Sequence, residues 1–172
     1  MLIQLEQIGD EPFHWQESPS ISAESLGRSE LLGVGGISWS GRVIRDLAGY
    51  RLEARLSYEQ TLTCTRCLQS LARSVEDEIE LTIETSASEP MLGEHELRAS
   101  EIRSLFLGGK ELDTTPILME QLQLNIPMKP LCREECAGLC PQCGVDRNQV
   151  RCSCAESEVD PRWRALERLR QG

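Results

Sequence analysis

The residues with the most chemistry to offer are eight cysteines in a chain of 172, and they fall in pairs. Cys64 and Cys67 form a C-x-x-C, Cys132 and Cys136 a C-x-x-x-C, Cys140 and Cys143 a second C-x-x-C, and Cys152 and Cys154 a C-x-C. Thiolates so spaced in a tight loop can both reach one ion at about 2.3 Å, and a glycine after the second lets backbone amides turn toward the sulfurs. Leu139-Cys-Pro-Gln-Cys143-Gly144 has this form. Pro141 stiffens the loop, and Gly144 can take the positive φ that closes it, as in the knuckle of a zinc ribbon. Cys64-Thr-Arg-Cys67 is a barer version. The expected cofactor is therefore structural zinc, one or two ions, with all eight cysteines as candidate ligands. The simplest division by sequence puts Cys140, Cys143, Cys152 and Cys154 in one local site and Cys64, Cys67, Cys132 and Cys136 in a long-range one. Spacing equally allows Cys64 and Cys67 to join Cys140 and Cys143.

Other chemistries fit less well. The opening Met1-Leu-Ile-Gln-Leu-Glu has neither the basic nor the apolar region of a secretory signal, so the expected compartment is the reducing cytoplasm, where disulfides are a poor explanation. A redox dithiol needs its first thiolate at a helix start, whereas Cys64 follows a β-like stretch. Cys152 and Cys154 could also be a surface pair without an ion. The two histidines, His14 and His95, belong to no His-Glu-x-x-His frame, and no zinc-deaminase signature is present. Gly33, Gly35 and Gly36 lack the rest of a nucleotide-binding loop, and there is no Gly-x-Ser-x-Gly elbow. No residues are in place to carry catalysis, so neither an enzyme nor a small-molecule substrate is expected.

Composition sets the remaining bounds. With 40% apolar, 27% charged and 4% aromatic residues the chain is of globular type, and no run approaches the roughly 18 apolar residues of a membrane span. Charge is uneven: residues 1–128 carry 10 Lys/Arg against 21 Asp/Glu, while 129–172 carry 8 against 7. The tail, with Arg162, Arg164, Arg168 and Arg170, is where a phosphate backbone would be tolerated. Four thiolates around a divalent zinc leave a formal charge of about −2 for neighbouring arginines to offset.

These cysteines need a scaffold, and the pattern is α+β: an antiparallel β-rich domain with short helices over 1–130, and a Cys-rich, zinc-ribbon-like segment over 131–172 packed on it. Residues 1–30 read as irregular. From Leu31 to Glu84 the pattern is β-like, with Leu52, Ala54, Leu56 and Tyr58 alternating and Ser40-Gly41 and Ala48-Gly49 as expected turns. Val75, Asp77, Ile79, Leu81 and Ile83 share one face, spoiled only by Asp77, and Glu76, Glu78 and Glu80 the other. Residues 85–97 read as a loop. Asp113-Thr-Thr-Pro116 signals a helix start, with Ile117, Leu118 and Leu122 on its apolar face and an end before Pro127. A last helix is expected from Asp160, with Trp163, Leu166 and Leu169 on one side.

Cys64-Thr-Arg-Cys67-Leu68 after a strand, Leu112-Asp113 before a helix ending in Leu124-Asn-Ile-Pro127, the run Leu131-Cys-Arg-Glu-Glu-Cys136-Ala-Gly-Leu-Cys140-Pro-Gln-Cys143-Gly144 and the closing Asp160-Pro161-Arg162 resemble the YceD-type family. The likeness spans most of residues 31–170. Family patterns often have Asn where Asp146 or Arg147 stands here, although Asn148 remains. Some relatives lack most of the C-terminal cysteines. Such proteins are associated with accumulation of large-subunit ribosomal RNA, and in bacteria the gene often neighbours that of a zinc-ribbon protein of the large subunit.

The resemblance implies a non-enzymatic role in ribosome biogenesis, with precursor large-subunit rRNA or a large-subunit ribosomal protein as partner. Arg133, Arg147, Arg151 and the last helix would make the contact, while the acidic strand face points away from RNA or shields a basic protein. Two other classes stand beside it: a zinc-stabilised protein-protein adaptor unrelated to ribosomes, and a redox switch that releases zinc on oxidation.

Overall fold

Alternation of buried and less buried residues in the middle of the chain, strict from Leu52 to Cys64, builds the scaffold. The computed structural model describes residues 1–46, 49–85, 103–154 and 162. Three long strands, β3 (Leu31–Asp46), β4 (Gly49–Thr63) and β5 (Ser70–Glu84), pair antiparallel in sequence order. β4 is the central strand. Its even-numbered residues from Leu52 to Leu62 are all buried, Gln60 included, and the alternation runs on to Cys64 beyond its end.

The sheet is completed at its edges. β2 (Phe13–Glu17) pairs with β3, and β6 (Ser104–Phe106) adds to β5 in the parallel sense, giving the order β2-β3-β4-β5-β6. β1 (Leu2–Gln4) and β7 (Glu111–Asp113) form a separate antiparallel pair. Residues 1–30 are thus less irregular than the sequence suggests: they hold β1, β2 and two single 3-10 turns, Leu5–Gln7 and Ala23–Leu26. The two strands span three and five residues, too few for a periodicity to show.

The single α-helix among the described residues, α1 (Thr114–Leu124), starts where expected. The Asp113 carboxylate accepts the Thr115 N–H at 2.9 Å, satisfying one of the unpaired amides of the first turn. Thr114 is buried, and Ile117, Leu118 and Leu122 belong to the core shared with β3, β4 and β5.

Two expectations need correction. Ser40-Gly41 is not a turn but lies within β3, where Gly41 pairs with Ala54 on one side and Trp15 on the other. A Cβ there would collide with the Glu53 carbonyl oxygen and with the Trp15 ring, so the glycine is needed for close approach. Above it, Trp15 meets Trp39 edge to face, with ring centroids 6.0 Å apart. Asp77, the expected flaw on the inner face of β5, is instead the acceptor of the Asn125 side-chain amide at 2.8 Å. Apart from Thr85, the loop expected at 85–97 lies outside the described residues, as does the last helix apart from Arg162.

Candidate metal centre

The cysteine pairs sit at the ends of elements that the sheet holds in place. Cys64 follows β4 directly, and Cys64–Cys67 form the link into β5. The turn there is closed by two backbone bonds: the Cys64 N–H donates to Gln69 O at 2.8 Å, and the Leu68 N–H to Cys64 O at 2.9 Å. Cys140–Val145 repeats the pattern, with the Cys140 N–H on Val145 O at 2.8 Å and the Gly144 N–H on Cys140 O at 2.9 Å. In both, the residue after the second cysteine is left-handed, with φ of 60° at Leu68 and 73° at Gly144. Only the second carries the glycine that announces such a turn, which is why the first looked barer.

The segment after α1 comes back against the first knuckle. The Thr65 N–H donates to Pro130 O and the Leu139 N–H to Arg66 O, each at 2.9 Å. Arg66 folds over the returning strand of chain, its Nη1 donating to Cys136 O at 3.0 Å and Glu134 O at 3.2 Å. Cys64, Cys67 and Cys136 form a small buried cluster with Leu71 and Leu131 against it, separate from the main core.

These constraints gather the thiols into two groups of four. Cys64, Cys67, Cys132 and Cys136 form one, and Cys140, Cys143, Cys152 and Cys154 the other, with the sulfurs of each group within 4.8 Å of one another. Cys64 and Cys67 are therefore with Cys132 and Cys136 and not with Cys140 and Cys143. A tetrahedral zinc with sulfurs at about 2.3 Å requires sulfur separations of about 3.8 Å. Cys64 Sγ and Cys136 Sγ lie 3.9 Å apart, and Cys67 Sγ and Cys132 Sγ 3.6 Å apart. Donor type, number and spacing thus all fit a four-thiolate ion. The groups differ in setting: three of the first four cysteines are buried, against Cys140 alone in the second.

Each group contains a thiol prepared for ionisation. Burial opposes the Cys64 thiolate, yet the backbone N–H groups of Cys67, Cys132 and Arg66 outweigh it and bring the thiol down to about 6. The backbone N–H groups of Cys143 and Gln142 bring Cys140 to about 6 despite burial. Without a cation the remaining thiols cannot all follow: burial and the other sulfurs push Cys132 up to about 12, and Cys143, burial and Cys140 do the same to Cys154. A divalent cation is what permits four thiolates to coexist.

What escaped the sequence reading is that Asn148, Asp146 and Arg133 form a second layer around the thiols. Asn148 Nδ2 donates to Cys136 Sγ at 3.4 Å and to Asp146 Oδ1 at 2.7 Å. Its Oδ1 accepts from Arg133 Nη2 at 2.7 Å and from the Ala137 N–H at 2.8 Å. Asp146 Oδ2 in turn accepts Gln69 Nε2 at 2.9 Å, tying the two knuckles together. An Asp-x-Asn triplet beginning three residues after a C-x-x-C offers little signal alone, since most of its partners lie elsewhere in sequence. The arginines expected at the surface between the ligands, Arg133, Arg147 and Arg151, are all exposed, and Arg133 is also bonded to Asn148.

Glu76, Glu78 and Glu80 all face outward on β5, but the face is not uniformly acidic. Arg55 pairs with Glu78 at 3.0 Å and Arg42 with Glu53 at 2.6 Å. The cross-strand neighbour of Glu80 is another carboxylate, Glu53. No helix among the described residues is long and apolar enough to cross a membrane.

The family described as large ribosomal RNA subunit accumulation protein YceD matches residues 52–170, which include all eight cysteines, and the chain belongs to that family. Among relatives, uncharacterised protein YlbN of Bacillus subtilis is 25% identical over 98% of this chain and 94% of its own length. An uncharacterised protein of Mycobacterium tuberculosis is 36% identical over 32% of this chain and 26% of its own. The chloroplastic large ribosomal RNA subunit accumulation protein YCED homolog 1 of Arabidopsis thaliana is 31% identical over 36% of this chain and 19% of its own. No solved structure matches.

Proposed function

We propose that the protein is a non-enzymatic, zinc-binding ribosome-biogenesis factor of the cytoplasm that supports accumulation of large-subunit ribosomal RNA, with one structural zinc in each group of four cysteines. The observation that carries this reading is the family match across residues 52–170, the stretch that contains both thiol groups. The zinc ions would supply no reaction; they neutralise the thiolates and fix the tail on the sheet.

The direct partner is precursor large-subunit rRNA or a large-subunit ribosomal protein. Two surfaces suit these alternatives. Arg147 and Arg151 stand exposed beside the second thiol group and suit a phosphate backbone. Glu76 and Glu80, exposed and without an ion-pair partner among the described residues, suit a basic protein.

A pull-down of tagged protein from growing cells, with co-purifying RNA and protein quantified before and after nuclease, tests the reading. Enrichment of large-subunit rRNA precursors or early large-subunit proteins is expected. Loss on nuclease treatment and on Arg147→Glu with Arg151→Glu identifies RNA contact, whereas loss on Glu76→Lys with Glu80→Lys identifies a basic protein. If neither class is enriched, the ribosomal reading fails and an adaptor for another complex takes its place.

A further inference from the structure

We infer that Asn148 couples the two groups of four cysteines, so that an ion held by Cys140, Cys143, Cys152 and Cys154 tightens the hold of Cys64, Cys67, Cys132 and Cys136 on theirs. This rests on the reading that both groups bind zinc.

The geometry behind it is a loop that belongs to one site and serves the other. Residues 144–151 lie between the second and third ligands of the local group, so an ion there fixes both ends of the loop. Within the loop the Gln149 and Val150 N–H groups donate to Asp146 O at 3.0 Å, and the Arg147 N–H ties it to Gly138 O at 2.9 Å. Asp146 then holds Asn148 by two bonds, accepting its backbone N–H at 2.9 Å and its Nδ2 at 2.7 Å. The remaining Nδ2 hydrogen goes to the sulfur of Cys136.

All the capacity of the amide is used, with two donors given and two acceptor positions filled by Arg133 and Ala137, so it has one orientation. Both acceptor contacts come from the Cys132–Cys136 segment or the residue after it. Asn148 is thus a positioning residue: its backbone is set by the local site, and its side chain orients and stabilises a thiolate of the distant one. Hydrogen bonds to a ligand of this kind commonly change metal affinity about 10- to 100-fold. The opposite sign would hold for charge alone, because two zinc–tetrathiolate units of about −2 each repel. Favourable coupling therefore needs a structural route, the Asp146–Asn148–Cys136 chain of bonds supplies one, and by linkage it acts in both directions.

Peptide-resolved thiol alkylation of the full chain across a series of buffered free-zinc concentrations reads each site separately. In the unaltered protein both groups should be protected by zinc. Cys152→Ser with Cys154→Ser should move the protection midpoint of Cys64, Cys67 and Cys136 to about tenfold higher free zinc. Asn148→Ala should produce a similar shift with the local site intact, and combining it with the two serines should add little. Far-UV circular dichroism of each variant checks that the sheet persists. The coupling is overturned if the serine pair leaves the distant midpoint in place, or if its shift adds in full to that of Asn148→Ala. Thiols in both groups that alkylate equally at every zinc concentration overturn the zinc reading itself, a result distinct from either of these.

Discussion

Asp77 on β5 and Asn125 at the C-terminal cap of α1 meet at 2.8 Å across the edge of the core, and the same Asn125 amide also donates to Gln121 O at 3.0 Å. A carboxylate that interrupts an apolar strand face is therefore the anchor of the helix end. Asn125→Ala should cost about 1–3 kcal/mol because it leaves a half-buried carboxylate without its donor. Asp77→Ala should cost less, since Asn125 keeps Gln121. Replacing both by leucine should come close to neutral in urea unfolding; a double variant as weak as Asn125→Ala would show that the pair does more than satisfy itself.

Gly41→Ala should be among the most damaging changes outside the metal centre. Its methyl group would press on the Glu53 carbonyl and on Trp15, whose ring is buried against Trp39. Overpacking of this kind costs about 1–3 kcal/mol, and it should appear in thermal unfolding together with a changed near-ultraviolet tryptophan signal. Gly35→Ala, with nothing within 4 Å of the added atom, is the matched control.

The two knuckles differ in one instructive position. Leu68 holds φ of 60° with its side chain 64% exposed, so the backbone strain has little packing to offset it. Leu68→Gly should be neutral or stabilising by up to about 1 kcal/mol, the relief of a left-handed L-residue set against glycine's greater unfolded freedom. Gly144→Val should lose about 1–2 kcal/mol and weaken zinc retention at Cys140 and Cys143. Denaturant melts and zinc content of the two variants, compared directly, check both.

What the sequence revealed and hid follows from the range of each interaction. The strands of the central sheet were legible because Leu52 to Tyr58 and Val75 to Ile83 alternate over many residues, and α1 because Asp113 and Pro116 mark its start locally. Family membership was legible in the cysteine run taken together with the Cys64–Leu68, Leu112-Asp113, Leu124–Pro127 and Asp160–Arg162 motifs. The sharing of thiols between the two groups was legible only as the simpler of two partitions that spacing permits, and bonds distant in sequence, from Thr65 to Pro130, from Leu139 to Arg66 and from Arg66 to Cys136, bring Cys132 and Cys136 to the first knuckle. Gly41 misled because a glycine that makes room for an indole looks the same as one that makes a turn. The role of Asn148 stayed hidden because, Asp146 apart, its partners are set by tertiary contact.

The helix cap gives a pH dependence with a definite sign. The Thr115 N–H, with help from the nearby N-terminal ammonium, holds the Asp113 carboxyl below its ordinary value of 3.8 despite some burial. A carboxylate with a depressed folded-state value stabilises above the unfolded value and loses that contribution as pH falls through the folded one. Asp113→Ala should therefore cost about 1 kcal/mol near neutrality and progressively less below pH 3.8. Asp113→Asn, which keeps a capping oxygen, should lose the pH dependence but retain most of the stability. A difference between parent and Asp113→Ala that stays constant down to acid would remove the carboxylate from this role.

Metal withdrawal should divide the molecule along the boundary between its two buried clusters. Trp39, Leu52, Leu56, Leu112 and Leu122 belong to the main core, which includes none of the cysteines, whereas Cys64, Cys67 and Cys136 form the small cluster that holds the returning chain. Removing the cation from either group leaves thiolates that cannot all remain charged, so the 131–154 segment should release before the sheet does. Native mass spectrometry should lose two zinc ions per chain on chelation, and the melting temperature should fall with falling free zinc, as mass action requires of a ligand that binds only the folded form. Hydrogen exchange should then rise at Leu139, whose amide bonds across the knuckles to Arg66 O, and at Cys140, whose amide closes its own knuckle on Val145 O, while the amides of β4 from Leu52 to Leu56 stay protected. Exchange that rises equally in both places would mean that zinc holds the whole sheet together, and unchanged exchange at Leu139 would mean that the backbone bonds suffice without it.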